Sequence, residues 1–329
     1  MDRSPIQDQS TLWSKAAFLK RVGQLRSSLR VIGPVGEGRH ACFQEIGDPA
    51  ELALGERTMI PPGKTWLFLP YQELVRFELG RDWTASEISP AAEPALLLGV
   101  HPCDIHAINY LDLSLLADPH YRGRREQTVL IGLNCTRVSP FCFCSSIGTG
   151  PHLSIRHGYD GLLTDLGEQY LFEPISKVAL DLFEGGEPAG PDAQGHKEEQ
   201  KDRLLGQFSK RIDIEGLDGL LQTDSNHPVW AQTAEERCLS CTNCVMVCPT
   251  CFCHDITDET DMSLKSVTRL RRWDACQDLR FAAVHGGNFR RLRAARLRQF
   301  VLHKLDYTGQ YGVRGTVGCG RCIEWCPTN

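Results

Sequence analysis

Short apolar runs punctuate the first half of the chain. "LRVIGPV" at 29–35, "TWLFLP" at 65–70, "ALLLGV" at 95–100 and "TVLIGL" at 128–133 are each bounded by glycine, proline or asparagine. Unbroken apolar runs of this length suit strands buried on both faces. "CDIHAINYLDLSLL" at 103–116 has apolar residues at 105, 108, 111 and 115, a helical period, and Pro102 suits the start of that helix. Strands mixed with helices predict an α/β domain. "GGEPAGPDAQGHKEEQ" at 185–200 is rich in glycine, proline and charge and reads as a surface loop or linker. "KEEQKDRLLGQFSKRI" at 197–212 reads as a helix. From about residue 228 cysteine dominates the pattern. Two domains are therefore expected, residues 1–227 and 228–329.

Cysteine count changes the picture most. The 329 residues include 15 cysteines, and the formal charge is −5. No run of 18 apolar residues occurs, so no membrane span is expected. The opening "MDRSPIQDQSTLWSK" has acids and no apolar core, unlike a secretory signal. A cytoplasmic protein is expected, where thiols stay reduced and bind metals rather than pair as disulfides. Apart from Cys42, the cysteines lie between Cys103 and Cys144 or between Cys238 and Cys326.

"RCLSCTNCVMVCPTCFCHD" at 237–255 sets Cys238, Cys241, Cys244 and Cys248 in the spacing C-x2-C-x2-C-x3-C-P of a bacterial ferredoxin. Zinc prefers separated C-x2-C pairs, so this spacing points to a 4Fe-4S cluster. In two-cluster ferredoxins the fourth cysteine ligates the other cluster. "TVGCGRCIEWCP" near the end repeats the motif through Cys319, Cys322 and Cys326, with Thr316 where its first cysteine should stand. Under the crossing rule, cluster one takes Cys238, Cys241, Cys244 and Cys326. Cluster two takes Cys248, Cys319 and Cys322 and needs one more ligand. Thr316 is a poor iron ligand because its hydroxyl stays protonated. Cys251, Cys253 and Cys276 are the nearby alternatives, together with an open position. Cys276 is favoured over Cys253 because it lies in the long insertion and can fold back. The expected second domain is thus a ferredoxin-like, α-helical di-cluster domain.

A second group lies in the first domain. Cys103 and Cys135 each follow an expected buried strand, so neighbouring strands would bring both thiols to one sheet edge, where open α/β folds place ligands. Cys142 and Cys144, in "FCFCSS", fall in a following loop that would cover that edge. These four are candidates for a third cluster, although Cys-x-Cys is not a ferredoxin spacing.

The ordered set "GVHPCDIHAINYLD", "NCTRVSPFCFCSSIGTGP", "CLSCTNCVMVCPTCFCHD", "RRWDACQDLRFAAVHGGNFR", "HKLDYTGQYG" and "VGCGRCIEWCP" resembles a known family. It contains the iron–sulfur beta subunits of cytosolic sulfhydrogenases and the A subunit of anaerobic sulfite reductase, and the likeness runs from about residue 28 to the end. It implies an electron-relay subunit, itself without catalytic residues, between an FAD- and NAD(P)-binding reductase subunit and a catalytic NiFe hydrogenase or sirohaem sulfite reductase subunit. It strengthens the expectation of a cluster in the first domain. The family pattern usually has cysteine at position 316 and continues past the last Cys-Pro, two points at which this sequence departs from it.

Residues 265–304 hold eleven Lys or Arg and two acids, Asp274 and Asp278. A basic helix near clusters suits electrostatic tuning or the docking of an acidic partner. An iron–sulfur regulator that binds nucleic acid is the rival reading, but no reader motif accompanies the charge. His101, His106 and His254 are expected as hydrogen-bond partners rather than ligands. "IGPVGEGRH" at 32–40 lacks the G-x-G-x-x-G nucleotide pattern. No Ser/His/Asp set or carboxylate pair suggests catalysis.

Overall fold

Four central strands run parallel, three of them the apolar runs at 29–35, 95–100 and 128–133. The computed structural model describes residues 1–6, 9–89 and 93–328. In chain order the first elements are β1 (Thr11–Ser14), α1 (Lys15–Leu25), β2 (Arg30–Val35), β3 (Cys42–Glu45), β4 (Tyr71–Glu78), β5 (Thr84–Glu87), β6 (Ala95–Val100), α2 (Pro102–Leu115), α3 (Pro119–Gln127) and β7 (Thr128–Leu133). There follow α4 (Cys144–Ile147), β8 (Gly161–Asp165), β9 (Gln169–Pro174), α5 (Lys177–Leu182), β10 (Glu187–Pro188) and α6 (Pro191–Leu205). An eight-stranded sheet has the order β10-β1-β9-β8-β7-β6-β2-β3. β2, β6, β7 and β8 are parallel neighbours. β3 closes one edge antiparallel, and β9, β1 and β10 extend the other. This is a mixed α/β sheet domain.

Every residue of β6 and β7 is buried. Leu96 and Leu98 pack with Phe18, Val22 and Phe183 on one face, while Leu97 packs with Ile105, Ile108 and Leu111 of α2 on the other. Each such side chain contributes roughly 1.5–3 kcal/mol by leaving water. β6 and β7 are adjacent, so Cys103, in the first turn of α2, and Cys135, two residues beyond β7, leave the sheet at the same end.

The second half contributes α7 (Leu217–Thr223), α8 (Val229–Glu236), α9 (Asn243–Met246), β11 (His254–Thr260), β12 (Ser266–Trp273), α10 (Arg293–Leu305), α11 (Thr308–Tyr311) and α12 (Arg321–Glu324). The hairpin β11–β12 does not stay within its own half. β12 pairs antiparallel with β4, giving a four-stranded sheet β11-β12-β4-β5.

Three expected elements differ. Residues 65–70 are not a strand, since Gly63–Leu67 form a π-helical turn whose Leu67, with Phe68, packs under α2. A six-residue apolar run carries no periodicity to tell the two apart. Residues 185–200 are not all loop, because Gly190 and Pro191 start α6 in the middle of that stretch. Proline there is a first-turn residue rather than a breaker, and the helix stops at Leu205, short of 212. The arginines at 269, 271 and 272 lie on a strand, and only the 293–305 part of the basic stretch is a long helix.

Candidate iron–sulfur centres

The two cysteine loops, 238–244 and 316–322, share one backbone shape. Their third residues have φ of 52° at Ser240 and 59° at Gly318, and their fifth have 69° at Thr242 and 74° at Gly320. Each loop runs directly into a one-turn helix, α9 or α12. In each, the backbone N–H of the third residue donates to the side chain of the first. Ser240 N–H donates to Cys238 Sγ at 3.4 Å, and Gly318 N–H donates to Thr316 Oγ1 at 3.3 Å. Position by position, Cys241 matches Cys319, Cys244 matches Cys322, and Thr316 stands where motif one has Cys238.

Cys238, Cys241, Cys244 and Cys326 line one cavity of about 450 Å³, together with Cys322. Three sulfurs of motif one and the last of motif two thus converge, as crossing requires. Burial pushes the Cys244 thiol up to about 12, and the charges of Cys248, Cys238 and Cys241 add to the effect. Cys248 and Cys319 are buried deeper in the molecule. Burial raises the Cys322 thiol, and the nearby charges of Cys319 and Cys248 add to the effect.

Cys103, Cys135, Cys142 and Cys144 line a separate cavity of about 300 Å³, with Arg57, His101 and Trp325 in its wall. Burial lifts the Cys135 thiol to about 12. The loop bearing Cys142 and Cys144 lies directly on the second motif. Phe143 N–H donates to Gly318 O at 2.8 Å, and Cys142 Sγ lies 3.4 Å from Cys319 O. Thr149 Oγ1 donates to Val317 O at 2.7 Å. A Cβ on Gly320 would meet Phe141 O at 2.2 Å, so glycine there permits both the positive φ and the close approach.

Among the described residues, no three His, Cys, Asp or Glu side chains draw close enough to hold a single metal ion. Thiolates around one zinc lie about 2.3 Å from it and crowd together. Four thiolates spread around a cavity suit a polynuclear cluster. Both the 450 Å³ and the 300 Å³ sites therefore fit a 4Fe-4S group.

Three further cysteines, Cys251, Cys253 and Cys276, pack near Cys248. Hydrogen bonding from Cys276 holds the Cys253 thiol down at about 6. Cys251 does the same for Cys248, which lies well below the usual thiol range. Cys276 packs with Val245, Cys248, Cys251 and Ala275, whereas Cys319 packs with Cys103, Ala107 and Val317. Cys276, expected on a helix, comes just after a strand, β12. The Asp274 N–H bond to Cys253 O, 2.9 Å, carries it to Cys253.

Sequence reasoning missed the nearest cations. Arg321, between Cys319 and Cys322, is 1% exposed and forms a bidentate pair with Asp104, 3% exposed, beside Cys103, at 2.5 and 2.8 Å. Arg57 donates to Cys319 O at 2.9 Å and pairs with Glu324. Lys64 Nζ donates to Val245 O and Met246 O and lies over the Trp273 ring. Burial works against the charge of Lys304, but the adjacent Cys248 and Cys251 thiolates outweigh it and hold its ammonium above the usual range. "CGRC" itself carried a signal for Arg321, since a charge enclosed by ligands needs a buried partner. Of the histidines, His101 lines the N-terminal cavity, His106 faces another, and His254 Nδ1 lies 3.0 Å from Phe252 O.

Comparison with known proteins agrees with this geometry. The 4Fe-4S dicluster domain family matches residues 237–329. The chain is 33% identical over 321 residues to sulfhydrogenase 2 subunit beta of Pyrococcus furiosus, covering 94% of this chain and 90% of that one. It belongs to the sulfhydrogenase beta-subunit family. No solved structure matches it. This member of the family carries a 4Fe-4S dicluster domain behind a mixed α/β sheet domain, and none of its described helices is long and apolar enough to cross a membrane.

Proposed function

We propose that this beta subunit is an electron relay with three 4Fe-4S clusters in series. Cluster one is held by Cys238, Cys241, Cys244 and Cys326. Cys248, Cys319 and Cys322 hold cluster two, and Cys103, Cys135, Cys142 and Cys144 hold a third in the sheet domain. The observation that carries the reading is the packing of the 141–144 loop on the 316–322 loop, which sets the N-terminal thiols against the second motif. Cluster two then lies between the other two sites.

When bound, the clusters supply one-electron transfer at potentials set by their surroundings. The chain's own residues shape those surroundings. Buried Arg321, Lys64 and Lys304 and half-buried Arg57 bring positive charge to the sulfurs, which favours the reduced form. The ends of the series lie nearer the surface: Cys241 is exposed, and Cys142 is half-buried. The relative's name, a sulfhydrogenase subunit, supports a complex in which electrons pass between an FAD- and NAD(P)-binding subunit and a NiFe hydrogenase subunit. A nickel-containing partner that co-purifies with the chain supports this assignment; a sirohaem partner would move it to sulfite reduction.

Iron analysis tests the relay itself. Anaerobically purified protein is expected to hold about twelve iron atoms per chain, and Cys135→Ser to remove about four of them while leaving the C-terminal iron in place. Eight or fewer in the fully loaded wild type removes the N-terminal cluster from the scheme.

A further inference from the structure

Motif two lacks a sulfur but keeps the shape of a complete cluster loop. The positive-φ residues of the two loops coincide, and the N–H bond that Ser240 gives to Cys238 Sγ is given by Gly318 to Thr316 Oγ1. The Thr316 oxygen therefore occupies the place of a ligating sulfur. The backbone on each side is fixed. Buried Lys304 donates to Thr250 Oγ1 at 2.8 Å, and Thr250 donates to Gly315 O at 2.6 Å. Thr149 holds Val317 O from the other side. The loop has no freedom to bring a different residue into that place.

No other sulfur is delivered there. Cys251, Cys253 and Cys276 pack about Val245, Cys248 and Ala275, and none of them lines the cavity beside Thr316.

Thr316 also forms part of a wall. With Val317, His106, Tyr110, His157 and Arg314 it lines a cavity of about 780 Å³. His106 Nε2 in that wall is buried without a hydrogen-bond partner. The cavity thus has space for a small ligand and a polar atom to meet it.

We propose that cluster two is held by three thiolates, Cys248, Cys319 and Cys322, and that the iron facing Thr316 is an open position for a small anionic ligand entering from this cavity. The proposal rests on the presence of cluster two.

The test uses full-length, anaerobically loaded protein, followed by electron spin resonance and Mössbauer spectroscopy. A three-thiolate cluster loses its unprotected iron on mild oxidation. Wild type treated with one equivalent of ferricyanide is expected to develop a three-iron signal, and Thr316→Cys to lose that signal. Cyanide, as the probe anion, is expected to shift the reduced cluster-two signal in wild type and not in Thr316→Cys. Cys251→Ser, Cys253→Ser and Cys276→Ser are each expected to keep full iron content. Wild type that resists oxidation, with one of these three serine variants losing a cluster, would overturn the proposal and name the cysteine that ligates instead. Loaded protein whose Mössbauer spectrum shows no second C-terminal cluster defeats the relay reading itself, a result distinct from a complete cluster that ignores cyanide.

Discussion

Asp104 and Arg321 show how a single ion pair joins the two halves of the molecule. Each is buried, and each is adjacent in sequence to a proposed ligand, Cys103 or Cys322. A buried pair is weak evidence for net stability, but removing one partner leaves the other charge without compensation, at about 3–5 kcal/mol. Asp104→Asn is therefore expected to lower the anaerobic thermal midpoint of the loaded protein sharply. It is also expected to shift the potential of the neighbouring clusters upward, because a negative charge is lost beside them. An unchanged midpoint would mean that Arg321 finds another acceptor. The residue scale is where the sequence was least legible. Spacing named Cys238, Cys241, Cys244 and Cys326, and the structure brings all four together. It did not name Arg57 or Lys64, which come from distant segments and meet the cysteines only through folding, and it counted Lys304 only as one charge of the basic stretch. The path of Cys276 was no more legible, since it depends on β12 pairing with β4, a contact across nearly 200 residues that no local pattern announces.

Among the elements, strands with continuous apolar runs were readable and short irregular ones were not. β2, β6, β7 and α2 follow from burial on both faces and from Pro102 at a helix start. The π-helical turn at 63–67 and the start of α6 did not, because packing and a capping glycine decide them. The loop 316–322 is the element on which the arrangement of centres turns. Gly320→Ala would place a methyl group against Phe141 O at a positive φ, a strain of roughly 1–3 kcal/mol. The expected result is a weakened 141–144 loop and preferential loss of the N-terminal cluster, measured as iron lost and as change in the spin-resonance spectrum. The arginines in and just before helix α10 divide between two tasks. Arg296 is buried and donates to Gln277 O and Arg291 O, while Arg291 and Arg293 are exposed. Arg296→Gln is expected to destabilise the fold. Replacing Arg290 and Arg291 with Gln, which leaves the Arg293 bond to Cys238 O in place, is expected to spare stability and weaken binding to the partner subunit, more at low salt than at high salt. Equal binding by wild type and variant across salt concentrations would assign these arginines to solvent.

At the scale of the whole molecule, the two halves are interlocked rather than strung together. Strand β12 enters a sheet with β4, and the 141–144 loop seats on the second motif. Cluster binding in such a chain is coupled to folding, since buried thiols must lose protons to iron before the loops close around them. The same interlock fixes the order of the proposed centres, with cluster two between the N-terminal site and cluster one. A potentiometric spin-resonance titration of the loaded full-length chain tests that order directly. The series predicts three reducible 4Fe-4S centres, with the cluster-two signal split by magnetic coupling to both neighbours and simplified on one side when Cys135→Ser removes the N-terminal cluster. A cluster-two signal that is identical in wild type and Cys135→Ser, in protein shown by analysis to have lost that iron, would contradict it.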